Sequence, residues 1–172
     1  NLSLGGGLFT STCDGFAFGA AASALASVGV ATVVASGNDG NTSATTYPAC
    51  ASAAVTVGAT TGSDAVLPIS NVAPWLDVFA PGEHVRTSSA DGGYAEGNGT
   101  SMAAPHVAGA FAILRERFPD EPVSSLLVRL QTSGVRIEAP GGPFARIQVD
   151  AALAIPAPGV VAGEAGWRLL SA

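Results

Sequence analysis

The segment GNGTSMAAPHVAGAFAIL, Gly97 to Leu114, joins a polar, glycine-containing turn directly to a long apolar run. Gly97 and Gly99 permit backbone conformations that other residues avoid, so the chain can turn sharply before Ser101. From Met102 to Leu114 only one residue is strongly polar, and a helix that is apolar on all sides belongs in a protein interior. We therefore predict a helix that begins near Ser101 and is buried on every side.

The start of this helix is suited to stabilise negative charge. The first four N–H groups of a helix lack acceptors within it, and the helix dipole adds partial positive charge there. Pro105, which has no N–H, is predicted to lie near the helix start, where a missing donor does least harm. Ser101 therefore lies where an oxygen atom that gains negative charge would be stabilised.

Composition narrows the class of protein. The chain has 172 residues, of which 48% are hydrophobic and 12% charged, and this favours one globular domain. With 13 acidic and 7 basic residues the net charge is −6, and the lack of a basic run argues against nucleic acid as a partner. No apolar stretch has the length of a membrane span, so we expect no membrane association. The opening residues, NLSLGGG, read as the middle of a domain, and we expect the chain to be part of something longer.

Strand and helix patterns alternate along the sequence, which predicts an α/β architecture with a largely parallel sheet. The predicted strands are NLSLG (1–5), VATVVAS (30–36), AAVTVGAT (53–60) and WLDVFAPG (75–82), and predicted helices cover 13–29 and 123–134. The periodicity ends near residue 155, so we assign residues 1–155 to the domain and 156–172 to a tail or linker.

Two polar residues follow these patterns at positions where ligands bind. Ligands of parallel sheets lie beyond the carboxyl ends of the strands, and Asn38 follows the strand at 30–36 directly. The Ser101 hydroxyl could attack a carbonyl carbon, and an Asn38 amide N–H could meet the resulting oxyanion. Taken singly, each has an ordinary explanation: Ser101 as a helix cap and Asn38 as a turn residue.

Taken together, the segments GTSMAAPHVAG, VVASGNDG, NLSLGGG, YPACASAAVTVGAT and LDVFAPG resemble the subtilisin-like serine proteases, or subtilases. The resemblance covers about residues 1–155. It implies a three-layer α/β/α fold with a mostly parallel sheet, incomplete in this chain, and a secreted or extracytoplasmic endopeptidase that cleaves peptide or protein substrates.

The resemblance also implies roles for individual residues. Ser101 would be the nucleophile, and its backbone N–H would form the oxyanion hole with the Asn38 side chain. The implied substrate-binding residues are Ser3, Leu4 and Gly5, which would pair with an extended peptide, and Ala35, Ser36, Gly37 and Thr46, which would line the pocket for the residue before the cut. Such small linings favour an apolar side chain, and Asp39 at the rim would make a basic one tolerable.

The sequence also predicts structural roles for two cysteines, one peptide bond and the two histidines. Cys13 and Cys50 could be two free thiols or one disulfide, and the resemblance favours the disulfide, which implies an oxidising compartment. The bond between Tyr47 and Pro48 resembles a cis peptide of the family. His106 is expected to be structural because it faces away from Ser101, and His84 is expected to lie in a surface loop.

The catalytic aspartate and histidine of the family have no counterpart in this sequence. Asp77 matches a framework position and is given no catalytic role. We therefore expect an N-terminal half of the same protease, on a companion polypeptide or on a removed segment, to supply both residues. No metal site is identified, although structural calcium is common among subtilases, and no cofactor is required.

Two alternatives remain at this point. The α/β-hydrolases order their triad as Ser, Asp or Glu, then His, and no histidine follows His106, so that order cannot be met. The second alternative is a catalytically silent, protease-derived fragment or interaction module. The intact Ser101 and Asn38 argue against it, but the absent base does not exclude it.

Overall fold

A computed structural model describes residues 1–156 of the chain. The strands in this part are β1 (Gly6–Phe9), β2 (Val33–Ala35), β3 (Thr45–Tyr47), β4 (Val55–Thr60), β5 (Val78–Pro81), β6 (Val85–Ser88), β7 (Tyr94–Gly97), β8 (Val135–Ala139) and β9 (Gly142–Arg146). The helices are α1 (Ala17–Ser27), α2 (Thr100–Arg117), α3 (Val123–Ser133) and α4 (Val149–Ala154). The predicted tail therefore falls, except for Pro156, outside the described residues.

A five-stranded sheet in the order β2-β4-β5-β9-β8 forms the centre of the fold. The first four strands in this order pair in parallel, and β8, at the edge, pairs antiparallel with β9. The runs of Val and Ala in β2 and β4 are buried on both faces, as expected of parallel strands covered by other layers. The prediction of a largely parallel sheet is confirmed.

The two faces of the sheet are covered by different helices. Val33 and Ala35 of β2 pack in one core cluster with the buried face of α2, whereas Val34 between them packs with Phe18 of α1. Because alternate side chains of a strand point to opposite faces, these contacts place α1 and α2 on opposite sides of the sheet. The layers are therefore α/β/α, as the resemblance to the subtilases implies.

Helix α2 differs from its prediction in two respects. It is buried along one face and exposed along another, at Pro105, His106, Gly109, Ala112 and Ile113. The buried face packs on β2, β4 and β5, whereas nothing among residues 1–156 covers the opposite face. Pro105 is the sixth residue of the helix rather than part of its first turn, so one helical hydrogen bond near Ser101 is missing.

The first predicted strand and the first predicted helix are also shorter than expected. Leu2 forms a single parallel bridge to Val34, and β1 begins beyond it and pairs antiparallel with β3. Helix α1 begins at Ala17 rather than at Cys13, because Cys13 is bonded to Cys50 and its backbone N–H donates to the Cys50 carbonyl. The helix ends as predicted next to Gly29, which has φ +83°.

The disulfide and the cis peptide are both present. Cys13 and Cys50 are bridged, with Cα atoms 5.2 Å apart, in a small cluster with Ala51. The Tyr47–Pro48 bond is cis. The cis bond and Cys50 both come directly after β3, which pairs with β1 beside the main sheet.

Asp77, at the entrance to β5, binds to β4 rather than to the site. Thr56 N–H donates to its carboxylate (2.7 Å), and the Asp77 N–H donates to the Thr56 carbonyl (3.1 Å). Burial raises the pKa of Asp77 from 3.8 to about 6, and the hydrogen bond from Thr56 opposes this only in part. These contacts join two neighbouring strands of the sheet, as expected of a residue with a structural and not a catalytic role.

We predict that Asp77 makes stability fall as pH rises. Its folded-state pKa lies above its unfolded one, so the folded state holds the proton more tightly and loses that advantage between about pH 4 and pH 6. Asp77→Asn removes this titration. In urea unfolding at several pH values, the free energy of unfolding of the variant minus that of the wild type should increase through this window and level off above it. A difference that does not change with pH would contradict the prediction.

Candidate active site

A cleft of about 620 Å³ opens where β2 ends and α2 begins. Its walls come from the segment before and within β1, the loop after β2, one residue of β3 and the start of α2. The lining residues are Ser3, Leu4, Gly5, Gly6, Gly7, Leu8, Ala35, Gly37, Asn38, Asp39, Thr46, Thr100 and Ser101. The cleft thus brings together every residue that the sequence predicted for catalysis and substrate binding except Ser36.

Ser36, expected in the pocket lining, lies behind the wall instead. Its side chain is fully buried, and its hydroxyl donates to the Asn71 carbonyl (2.8 Å). Its own carbonyl accepts hydrogen bonds from Thr46 N–H (2.9 Å) and Thr46 Oγ1 (3.3 Å). In an extended strand neighbouring side chains point to opposite sides, so Ala35 can face the cleft only if Ser36 faces away from it. Ser36 therefore supports the wall that Ala35 and Thr46 form.

Ser101 is bound to the opposite wall through reciprocal hydrogen bonds with Ser3. The Ser101 hydroxyl donates to the Ser3 carbonyl (3.3 Å), and the Ser3 hydroxyl donates to the Ser101 carbonyl (2.8 Å). The second bond exists because Pro105 lacks the N–H that would otherwise bond to Ser101 within the helix. The irregular position of the proline thus frees an acceptor that joins the helix start to the edge of the cleft.

Asn38 is oriented by Thr100, which precedes Ser101. Its Oδ1 accepts hydrogen bonds from Thr100 N–H (2.9 Å) and Thr100 Oγ1 (3.0 Å). A backbone N–H can only donate, so the atom facing it must be the amide oxygen, and the Nδ2 group must point elsewhere. Gly99 permits this approach, because it has φ +131° and a Cβ there would lie 3.0 Å from Asn38 Oδ1.

Two hydrogen-bond donors beside Ser101 have no acceptor among residues 1–156. One is Asn38 Nδ2, and the other is the backbone N–H of Ser101, in the first turn of α2. The partial positive charge at the helix start strengthens the attraction of both donors for a negatively charged oxygen.

The sequence did not single out Thr100, although it stands within the same GTS motif, and its role follows only from the contact with Asn38.

Neither of the two histidines in the chain is hydrogen-bonded to Ser101. His84 bonds to Glu96, whose carboxylate raises the pKa of this exposed imidazole, and it lies in a loop, as expected. His106 Nδ1 bonds to the Met102 carbonyl one turn back (2.8 Å), on the exposed face of α2. The hydroxyl of Ser101 therefore has no imidazole partner in this chain.

The comparison with family models matches residues 1–137 to the subtilase family, also called Peptidase_S8. The chain belongs to the subtilase family. Alkaline serine exoprotease A of Vibrio alginolyticus is 39% identical over 137 residues, which are 78% of this chain and 24% of that protein. The extracellular serine proteinase of Thermus sp. (strain Rt41A) is 39% identical over 140 residues, which are 78% of this chain and 33% of that protein.

Solved structures agree with the subtilase assignment. A cold-adapted subtilisin-like serine proteinase superposes with a TM-score of 0.72 and 34% identity, over 84% of this chain and 52% of that one. The chain thus spans about a quarter to a third of the two curated relatives and about half of the solved structure. Its place in the serine protease family and its subtilisin-like fold are established by these matches.

Proposed function

We propose that this chain is the nucleophile-bearing, C-terminal half of a serine endopeptidase catalytic domain, which hydrolyses peptide bonds through an acyl-enzyme on Ser101. The observation that carries the proposal is the pair of unused donors, Asn38 Nδ2 and Ser101 N–H, at the nucleophile's position in the cleft. Attack of the Ser101 oxygen on the scissile carbonyl turns the carbonyl oxygen into an oxyanion, which both donors can then stabilise. The histidine proposed for the N-terminal half would take the proton of the Ser101 hydroxyl and pass it to the leaving amine as the scissile C–N bond breaks, which leaves the acyl group on Ser101. Water then attacks this acyl-enzyme, its proton would pass through the same histidine to the Ser101 oxygen, and the carboxylic acid product leaves.

The substrate is proposed to be an extended peptide that lies along residues 3–5. The cleft wall there consists of small side chains and exposed backbone, apart from Leu4, which is 58% exposed and free to contact a substrate side chain. Ala35, Gly37 and Thr46 bound the proposed pocket for the residue before the cut, and their small size favours an apolar side chain. Asp39 also lines the cleft, and its negative charge makes a basic side chain tolerable.

The catalytic aspartate and histidine are proposed to come from the N-terminal half of the same protease. Among residues 1–156, only the bridge at Leu2 extends the central sheet beyond β2, so a strand could add there. Next to this edge is a second cavity of about 320 Å³, between Asn1, the turn at 29–31 and the outer part of α2. The exposed apolar face of α2 adjoins it, and a second half-domain would bury both surfaces.

The same proposal predicts the compartment, the cofactor requirement and the partners of the protease. The disulfide is typical of oxidising compartments, and one relative is named as extracellular, which together favour a secreted or extracytoplasmic protease. The proposed acyl transfer uses protein groups only and requires no cofactor; a structural calcium ion would be compatible with it. No helix within residues 1–156 is both long and apolar enough to cross a membrane, and the net negative charge is unfavourable for nucleic acid.

The test uses the complete protease proposed here, with the N-terminal half present together with residues 1–172, which we call the full-length protein. Its peptide hydrolysis is compared with that of residues 1–172 produced separately. The full-length protein should hydrolyse casein and be inactivated by a fluorophosphonate, whereas the separate chain should have at most trace activity, because Ser101 lacks a base. Full activity of the separate chain would contradict the need for an N-terminal half. A full-length protein without activity would favour the catalytically silent alternative.

A further inference from the structure

We propose that Asn71, in the segment that leads to β5, is a positioning residue for the oxyanion donor Asn38. This inference rests on the proposed function, since it assigns a role in the same reaction to a residue that does not reach the cleft. Asn71 is fully buried and is not among the residues that line the site. Its contacts are concentrated on the loop that presents Asn38.

The side chain of Asn71 binds this loop mainly after Asn38, at Asp39 and Asn41, and also before it, at Ser36. Its Oδ1 accepts hydrogen bonds from the backbone N–H groups of Asp39 (3.0 Å) and Asn41 (2.9 Å). Its Nδ2 donates to the Asp39 carboxylate (2.9 Å) and, more weakly, to the Ser36 carbonyl (3.3 Å). One buried amide thus fills four hydrogen-bond positions on the loop.

The backbone of Asn71 binds the loop before Asn38. Its N–H donates to the Gly37 carbonyl (2.9 Å), and its carbonyl accepts from the Ser36 hydroxyl (2.8 Å). Gly37 fits against the side chain as well, because it has φ +109° and a Cβ there would lie 2.3 Å from Asn71 Nδ2. Residues 36, 37, 39 and 41 are therefore all bound to Asn71, on both sides of Asn38, whose own side chain is bound by Thr100 instead.

This arrangement should matter for rate more than for stable substrate binding. The Asn38 Nδ2 group is needed where the oxyanion forms, and a shift of about 1 Å in such a donor can cost about 100-fold in rate. Thr100 fixes the amide of Asn38 from one side, and Asn71 fixes the backbone that carries it. Loss of the Asn71 side chain leaves the Asp39 and Asn41 N–H groups without their acceptor, so the loop is free to rearrange.

The test replaces Asn71 by Ser in the full-length protein and again in an Asn38→Ala background. Concentrations are normalised by titrating reactive Ser101 with a fluorophosphonate, so that unfolded protein does not count. We expect Asn71→Ser to lower kcat about 10- to 100-fold with KM changed less than about threefold, as for loss of transition-state stabilisation. In the Asn38→Ala background the same substitution should change kcat less than about threefold, because the donor that it positions is already absent.

Two further variants keep the test decisive. Thr56→Val removes another buried hydrogen bond, to the Ala49 carbonyl (2.6 Å), away from the loop, and should lower the Tm without changing kcat per titrated site. If Asn71→Ser does not fold, Asn71→Asp takes its place in both backgrounds with the same expected coupling, because it keeps the acceptor for both N–H groups but sets a second carboxylate against that of Asp39 where Nδ2 donates in the wild type. An equal loss of kcat with and without Asn38, or a rise in KM at constant kcat, would overturn the role. Wild-type protein that shows no turnover would instead overturn the proposed function, and this inference with it.

Discussion

Replacing Ser101 by Ala is expected to abolish turnover of peptide substrates by the full-length protein. The substitution removes the only oxygen that the proposed mechanism uses to form the acyl-enzyme, and loss of the nucleophile in subtilisin itself lowers kcat about 10⁶-fold. The hydroxyl also donates to the Ser3 carbonyl, but this bond lies at the open cleft, so its loss should have little effect on stability. The measurement is kcat on a chromogenic peptide together with the Tm.

Ser124→Ala is the matched control, because it removes a serine hydroxyl from the exposed surface of another helix, α3. It should leave kcat and KM unchanged. Residual activity of Ser101→Ala within about tenfold of the wild type would contradict the assignment, because an intact oxyanion hole and substrate groove supply far less than the complete mechanism.

The second large effect is expected for Asn38. Loss of one oxyanion donor costs about 10²- to 10³-fold in kcat, a value that was obtained for the equivalent donor of subtilisin. We expect at least this loss for Asn38→Asp, which keeps an oxygen to accept from Thr100 but replaces the Nδ2 donor by a carboxylate oxygen whose negative charge repels the oxyanion. KM should change little, since the donor is needed only when the carbonyl oxygen becomes charged.

Asn38→Ala distinguishes loss of the donor from loss of orientation. It removes both the donor and the acceptor for Thr100 but adds no charge, so its kcat should fall about 10²- to 10³-fold, and that of Asn38→Asp should fall at least as far. A retained kcat in either variant would show that another group stabilises the oxyanion. A large rise in KM at constant kcat would assign Asn38 to substrate binding instead.

The local features of the site could be predicted from sequence because short motifs encode them. Ser101 and Asn38 each stand in a segment whose neighbours fix the local backbone, and both line the cleft as expected. The cis bond at Tyr47–Pro48 and the bridge between Cys13 and Cys50 were also predicted through the resemblance and are confirmed. Parallel strands were recognisable because their buried runs of Val and Ala are continuous.

Features that depend on residues distant in sequence could not be predicted. Asn71 contacts the loop at Ser36 across 35 positions of the chain, and no pattern marks it as more than a polar residue in a turn-rich segment. The burial of α2 was overestimated because an apolar composition shows that a helix face can be buried, but it does not show whether this chain supplies the residues that cover that face. The hairpin of β8 and β9 was missed, although Gly141 and Gly142, both with positive φ, gave a turn signal.

Mapping a fluorophosphonate adduct on the full-length protein is the most direct test of the central claim. After labelling, digestion and peptide mass spectrometry, the account predicts a single adduct on Ser101, formed at a rate that falls sharply in Asn38→Asp. The adduct should be absent in Ser101→Ala and undiminished in Ser124→Ala. Labelling at another residue, or no labelling of a full-length protein that hydrolyses peptides, would contradict the claim that Ser101 is the nucleophile.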